Sequence, residues 1–228
     1  ITGASQGLGL ELAKSALKRG YRVFAVARHV SPELGELQGE NCSIHTADIT
    51  SAVDVDRVYE EISQETENLD YLFNNAGVWL DKSRVSLTDP SFSFDDVSRQ
   101  FEVNAVGPLR ITRTFLPMLL VGSGKCIINL SSEAGSIGNA GRKCEYGYCM
   151  SKAALNMETK ILQNAYPELR FYAIHPGWMK TPQGYAGATK DCTPQQEPSD
   201  TAEKLLTLAE TKKYPYLYGD FEGNPMPW

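Results

Sequence analysis

Short apolar runs alternate with amphipathic stretches along almost the whole chain. YRVFAVAR at 21–28, CSIHTADI at 42–49, DYLFNNAG at 70–77, GKCIINLSS at 124–132 and RFYAIHPG at 170–177 each predict a buried strand. Residues 8–19, 52–66, 95–120 and 146–165 predict helices between them, and 199–211 predicts a further one. Strands alternating with helices predict parallel βαβ units with right-handed crossovers. The expected fold class is therefore α/β: one Rossmann-type, doubly wound parallel sheet with helices on both faces, in a single domain over 1–228. No repeat, low-complexity tract or linker divides it. The Gly- and Pro-rich TPQGYAGATKDCTPQQEP at 181–198 is the one long loop candidate, and loops of that length are usually functional or disordered. The chain opens with ITGAS. That leaves the first strand, central in this architecture, with almost no residues, so several preceding residues are expected.

The 228 residues suffice for a substantial buried core. A formal charge of −6 argues against nucleic-acid or anionic-membrane partners. FLPMLLV at 115–121 is the longest apolar candidate, far short of the roughly 18 residues that span a bilayer, and no secretory signal is recognisable. Cys42, Cys126, Cys144, Cys149 and Cys192 are odd in number and form no CxxC, so neither a disulfide framework nor a metal site is expected, and a reducing, cytoplasmic location is. Cys149 reads as a small buried thiol rather than a nucleophile.

Candidate chemistry begins with TGASQGLG at 2–9, which leads straight into a helix. Gly3, Gly7 and Gly9 permit positive φ and close backbone approach. The N–H groups of the helix start then face a pyrophosphate, helped by the helix dipole. The spacing is G-x3-G-x-G rather than the common dinucleotide fingerprint. At the end of the second predicted strand, Ala27 and Arg28 supply no acid for a ribose 2′-hydroxyl. A guanidinium there suits a 2′-phosphate, which favours NADP(H), with NAD(H) remaining an option. Asp48 has two readings, acceptor for an adenine amino group or cap of the next helix. In YGYCMSK at 146–152, Tyr148 lies four residues before Lys152, on the same helical face, whereas Tyr146 lies six before it and points elsewhere.

Together these segments resemble the short-chain dehydrogenase/reductase family. Its motifs occur in order: TGASQGLG at 2–9, NNAG at 74–77, Asn104 in FEVNAVGP, Ser132 in INLSS, Tyr148-x3-Lys152, and PGWMKT at 176–181. HPGW and the ending GDFEGNPMPW are more similar to the C-factor and sniffer-type carbonyl reductases. The resemblance implies that Tyr148 is a general acid, Ser132 orients the same carbonyl oxygen, Lys152 lowers the tyrosine pKa and holds the nicotinamide ribose, and Asn104 anchors a relay water. It implies a cofactor cradle of Gly3, Ser5, Gln6, Gly7, Leu8 and Gly9. Arg28, Asp48, Ile49, Asn75, Ala76 and Gly77 would serve the adenosine side. Pro176, Gly177, Trp178, Met179 and Thr181 would serve the nicotinamide end, beside Tyr148 and Lys152. A capping role for Thr181 is the other reading.

A free tyrosine titrates near ~10. A cation about 4 Å away, at an effective dielectric of about 20, contributes roughly 4 kcal/mol, or up to roughly three pKa units. Lys152 is thus expected to bring Tyr148 into the neutral range. The stretch between Ser132 and Tyr148 is slightly long for the family, so whether Ser131 or Ser132 faces the site is open; adjacent strand residues point to opposite faces, and motif position favours Ser132. Trp79, Ile137, Cys144, Trp178 and Tyr185 are expected to line the substrate side, suiting a small apolar or aromatic carbonyl compound. The expected function is NADP(H)-dependent carbonyl reduction. The alternatives are an NAD-linked alcohol dehydrogenase, a related epimerase or dehydratase, and a nucleotide-sensing signalling protein. The family often pairs the helices at 95–120 and 146–165, so a homodimer or homotetramer through them is a further expectation.

Overall fold

Strand burial shows why the sheet is covered on both faces. The computed structural model of the protein describes residues 1–81, 85–211 and 215–228. The strands are β1 (Val23–Ala27), β2 (Cys42–Thr46), β3 (Tyr71–Asn74), β4 (Cys126–Leu130), β5 (Arg170–His175) and β6 (Tyr218–Asp220). Along β1, Val23, Ala25 and Ala27 enter one core while Phe24 and Val26 enter the other. The two-residue alternation therefore meets apolar partners on both sides, as a buried parallel strand requires. In β4, Ile127 and Ile128 divide between the same two cores.

All pairings are parallel: β1 with β2, and β3-β4-β5-β6 in sequence. Residues 1–4 lie between the two sets. Thr2 bridges Val26, its N–H donates to the Phe73 carbonyl at 3.0 Å, and the Ala4 N–H donates to the Val26 carbonyl at 3.2 Å. The spatial order is thus β2-β1-(1–4)-β3-β4-β5-β6, reversing direction at the N-terminal segment. Ligands of such sheets bind at that reversal, beyond the carboxyl ends of the strands.

The helices are α1 (Gly7–Lys18), α2 (Pro32–Gly35), α3 (Ala52–Ser63), α4 (Phe94–Phe101), α5 (Gly107–Val121), α6 (Tyr146–Ala165), α7 (Pro182–Ala186) and α8 (Pro198–Glu210). Leu12 of α1 and Leu205 of α8 fill one core. Val58 of α3, Ile111 and Phe115 of α5 fill the other. The helix expected over 95–120 is present as α4 and α5, which run into each other through a π-helical turn at Glu102–Val106. The loop expected at 181–198 contains α7, which Pro182 starts and Thr181 caps. β6 and α2 were not foreseen. Among the described residues no helix is long and apolar enough to cross a membrane.

Candidate active site

The glycine loop fits its place because no side chain fills it. Gly3 and Gly7 have φ of +67° and +55°, and a Cβ on Gly3 would sit 2.8 Å from the Ala76 Cα. Asn75 locks the loop from below: its Nδ2 donates to the carbonyls of Thr2 and Gly3 at 2.9 and 3.1 Å. Gly9 serves packing instead. A Cβ there would lie 2.3 Å from the Gly3 carbonyl oxygen, and Gly9 does not line the cleft. It lets α1 seat against the loop rather than touch a ligand. No side chain caps α1, whose first turn carries no acid, so its leading N–H groups remain available to an anion.

A cleft of about 1010 Å³ runs from this loop along the strand ends. Ser5, Gln6, Gly7, Leu8, Arg28, Asp48, Ile49, Asn75, Ala76 and Gly77 line it, as do Pro176, Gly177, Trp178, Met179 and Thr181. Arg28 is exposed at its far end. Asp48 is not the cap of α3; Ser51 is, accepting from the Asp54 N–H at 3.2 Å. Asp48 Oδ1 instead accepts from the N–H and hydroxyl of Thr50, at 2.9 and 2.8 Å. Burial would raise its carboxyl; the Thr50 hydrogen bonds and the Arg99 guanidinium outweigh that and hold it below the usual range. Thr181 both caps and lines, accepting from the Gly184 N–H at 3.1 Å.

Ser132, Tyr148 and Lys152 meet midway along the cleft. The adjacent serines take different partners. Both line the cleft, but the Ser131 hydroxyl is taken up in donating to Asn156 Oδ1 at 2.5 Å, whereas Ser132 is the one whose hydroxyl acts to lower the Tyr148 pKa. Tyr146 has no share in this; it packs edge-on against Phe92, ring centroids 5.9 Å apart. Burial pushes the Tyr148 hydroxyl up to about 12, against the lowering by Ser132. Burial also drives the Lys152 ammonium down to about 8. The expectation that Lys152 brings Tyr148 to neutrality is therefore not met: Nζ donates to the Leu130 carbonyl at 2.7 Å and stands 5.8 Å from the Tyr148 ring centroid. Desolvation is the leading influence on both groups.

Asn104 is fully buried in the π turn. Its Oδ1 accepts from the Val78 N–H at 2.8 Å, and its Nδ2 donates to the Val78 carbonyl and the Ser151 hydroxyl at 2.8 and 3.0 Å. The side chain fastens the segment after NNAG to α6 and does not line the cleft. A Cβ on Gly77 would sit 3.3 Å from Asn104 Oδ1 and 3.6 Å from Lys152 Nζ, so glycine keeps the space between those two groups open.

The architecture agrees with known proteins. The short chain dehydrogenase family model matches residues 1–189. The chain belongs to that family. C-signal of Myxococcus xanthus is a relative, 31% identical over 72% of this chain and 95% of its own length. The carbonyl reductase Sniffer of D. melanogaster superposes with a TM-score of 0.87 at 26% identity, covering 100% of this chain and 98% of that one. An NADPH-bound carbonyl reductase from chicken fatty liver gives a TM-score of 0.84 at 27% identity, over 100% and 97% of the two chains.

As a short-chain dehydrogenase the protein is an oxidoreductase, and its substrate end differs from expectation. Trp79 and Trp178 line the cleft; Ile137, Cys144 and Tyr185 do not. Ile137 and Tyr185 point outward, 78% and 52% exposed. Charged groups take their place: Arg142, ion-paired with both Glu133 and Glu145. Sequence reasoning also missed Asp81. Its carboxylate accepts from the N–H groups of Tyr148 and Gly147 at 2.7 and 3.3 Å, capping α6 where its own N-cap, Glu145, does not. Gln100, wholly buried, steadies Asp81 by donating from Nε2 at 3.1 Å. No local pattern reveals a cap supplied from 67 residues away.

Proposed function

We propose that the protein is an NADP(H)-dependent carbonyl reductase, with Tyr148 as proton donor to the carbonyl oxygen. The observation that carries this is the convergence of Ser132, Tyr148 and Lys152 in one cleft with an uncapped helix N-terminus at its other end. The residues present fit a dinucleotide phosphate. The leading N–H groups of α1 suit its pyrophosphate, and Arg28 forms no ion pair among the described residues and is exposed where a 2′-phosphate would sit. The cleft, about 1010 Å³, is at the upper end of ligand pockets, which run to roughly 1,000 Å³. The NADPH in the chicken enzyme supports the same choice. When bound, the reduced nicotinamide supplies the hydride.

The chain's own residues do the rest. The Ser132 hydroxyl fixes the carbonyl oxygen next to the Tyr148 hydroxyl. Tyr148 remains protonated at neutral pH, its value held near 12, and so is loaded as an acid. After it gives up the proton, the ammonium of Lys152 stabilises the phenolate. The gap kept open by Gly77 between Lys152 and Asn104 is the place for a water that returns the proton. Trp79 and Trp178 form aromatic walls for a flat substrate, while the Arg142 pairs keep the outer rim polar. Val106, Leu109 and Val121 near α5, with Met150, Met157 and Ile161 on α6, are exposed and would close a homodimer through these helices.

The test compares binding of NADPH and NADH, then their consumption with aromatic aldehydes, diketones and quinones, in wild type and Tyr148→Phe. The variant should bind NADPH as wild type does and lose at least about a hundredfold in rate, the scale of a missing general acid. Equal turnover by the two proteins would refute the assignment.

A further inference from the structure

The carbonyl of Ser132 is gripped from outside the cleft. Tyr218, the first residue of β6, is 2% exposed, and its hydroxyl donates to the Ser132 carbonyl oxygen at 2.7 Å, across 86 residues of sequence. The Gly135 N–H donates to the same oxygen at 3.0 Å, so both of its lone pairs are used. The Ser132 hydroxyl in turn accepts from the Ala134 N–H at 3.1 Å. Tyr218 does not line the cleft and touches no reacting atom.

The segment after β6 reinforces this grip. The Met226 N–H donates to the Tyr218 carbonyl at 3.1 Å. The Ser136 hydroxyl donates to the Pro227 carbonyl at 2.6 Å, and the Gly138 N–H to that of Trp228 at 2.7 Å. The Trp228 ring lies over Tyr218, centroids 5.3 Å apart. The stretch from Ser132 to Gly138, the start of the long connection before Tyr148, is thus held by residues 218–228 at three points.

We infer that Tyr218 is a positioning residue, its hydroxyl fixing the backbone of Ser132 so that the serine hydroxyl meets Tyr148 and the substrate oxygen in one register. A phenol suits this role because burial pushes it up to about 12, so it stays a donor over the working pH range. The kinetic part of this inference rests on the reductase reading above; the backbone part does not.

The experiment is Tyr218→Phe, which keeps the ring and its contact with Trp228 and deletes only the hydroxyl. Hydrogen exchange reads the backbone directly. The Ala134 and Gly135 amides should exchange at least about tenfold faster in the variant, with those of β5 unchanged; equal exchange at Ala134 and Gly135 overturns the inference whatever the substrate proves to be. In turnover, kcat should fall roughly five- to tenfold, about one neutral hydrogen bond, with the NADPH Kd unchanged. In a Ser132→Ala background the same substitution should cost nothing further, because no hydroxyl remains to be aimed. An equal fall in both backgrounds overturns the positioning role and leaves a general structural one. Wild type without carbonyl turnover, alongside accelerated exchange, would sink the reductase reading and leave the grip on Ser132 standing.

Discussion

Removal of the Asp81 carboxylate tests whether a distant cap sets the helix that carries Tyr148 and Lys152. In Asp81→Ala the N–H of Tyr148 loses its 2.7 Å acceptor and that of Gly147 its 3.3 Å one. Loss of a helix cap costs about 1 kcal/mol. Gln100 Nε2, wholly buried, loses its acceptor as well, and an unsatisfied buried donor costs roughly 1–2 kcal/mol. The sum is about 2–3 kcal/mol. At roughly 2–4 °C per kcal/mol for a domain of this size, Tm should drop by about 5–10 °C. Thermal unfolding followed by circular dichroism measures this. Asp81→Asn keeps an oxygen acceptor and should recover more than half of the loss. The activity of the alanine variant at 25 °C should fall as well, because the capped amide belongs to Tyr148 itself. A Tm within about 1 °C of wild type would refute the capping argument.

Lys152 carries a cost. Its value falls from 10.5 in the unfolded chain to about 8 in the fold. A lowered value means that the folded state releases the proton first, so stability rises as pH climbs from about 8 to 10.5 and is reduced in full below 8. The difference is roughly 3 kcal/mol, less about 1 kcal/mol for the bond to the Leu130 carbonyl. Lys152→Met should therefore be more stable than wild type at pH 7 by about 2 kcal/mol while losing reductase activity, and chemical denaturation should show the advantage gone near pH 10.5. Arg28→Ala should weaken NADPH binding by about ten- to a hundredfold, the size of a charge-assisted contact, and leave NADH binding unchanged; titration calorimetry with both cofactors reads the difference.

Much of the fold was legible because burial on both sheet faces writes itself into short apolar runs. VFAVA in β1 and CIINL in β4 are wholly buried. The π turn at Glu102–Val106 was not legible, since no glycine or proline lies within it to mark the change; Pro108 sits in the first turn of α5, where it is tolerated. β6 is three residues long and buried mainly through Tyr218, too short to register as a run. At the site, spacing separated Tyr148 from Tyr146 correctly, and the two serines were resolved once Ser131 was seen on Asn156. The tyrosine's acidity was misjudged because the sequence conveys charge separation but not desolvation, which is the leading influence on both Tyr148 and Lys152. The polar rim was missed because Arg142, Glu133 and Glu145 read as ordinary surface charges until the chain folds them together.

The ties that hold the site span long stretches of chain: 67 residues from Asp81 to Tyr148, 73 from Thr2 to Asn75 and 86 from Ser132 to Tyr218. None can form from local structure, and contacts between remote segments come slowly. During refolding, helix content should return well before turnover does, and the lag between the two signals would time the closing of these three ties. Catalysis in this protein is then a late reporter of folding, silent in any intermediate whose helices are complete but whose ends have not met.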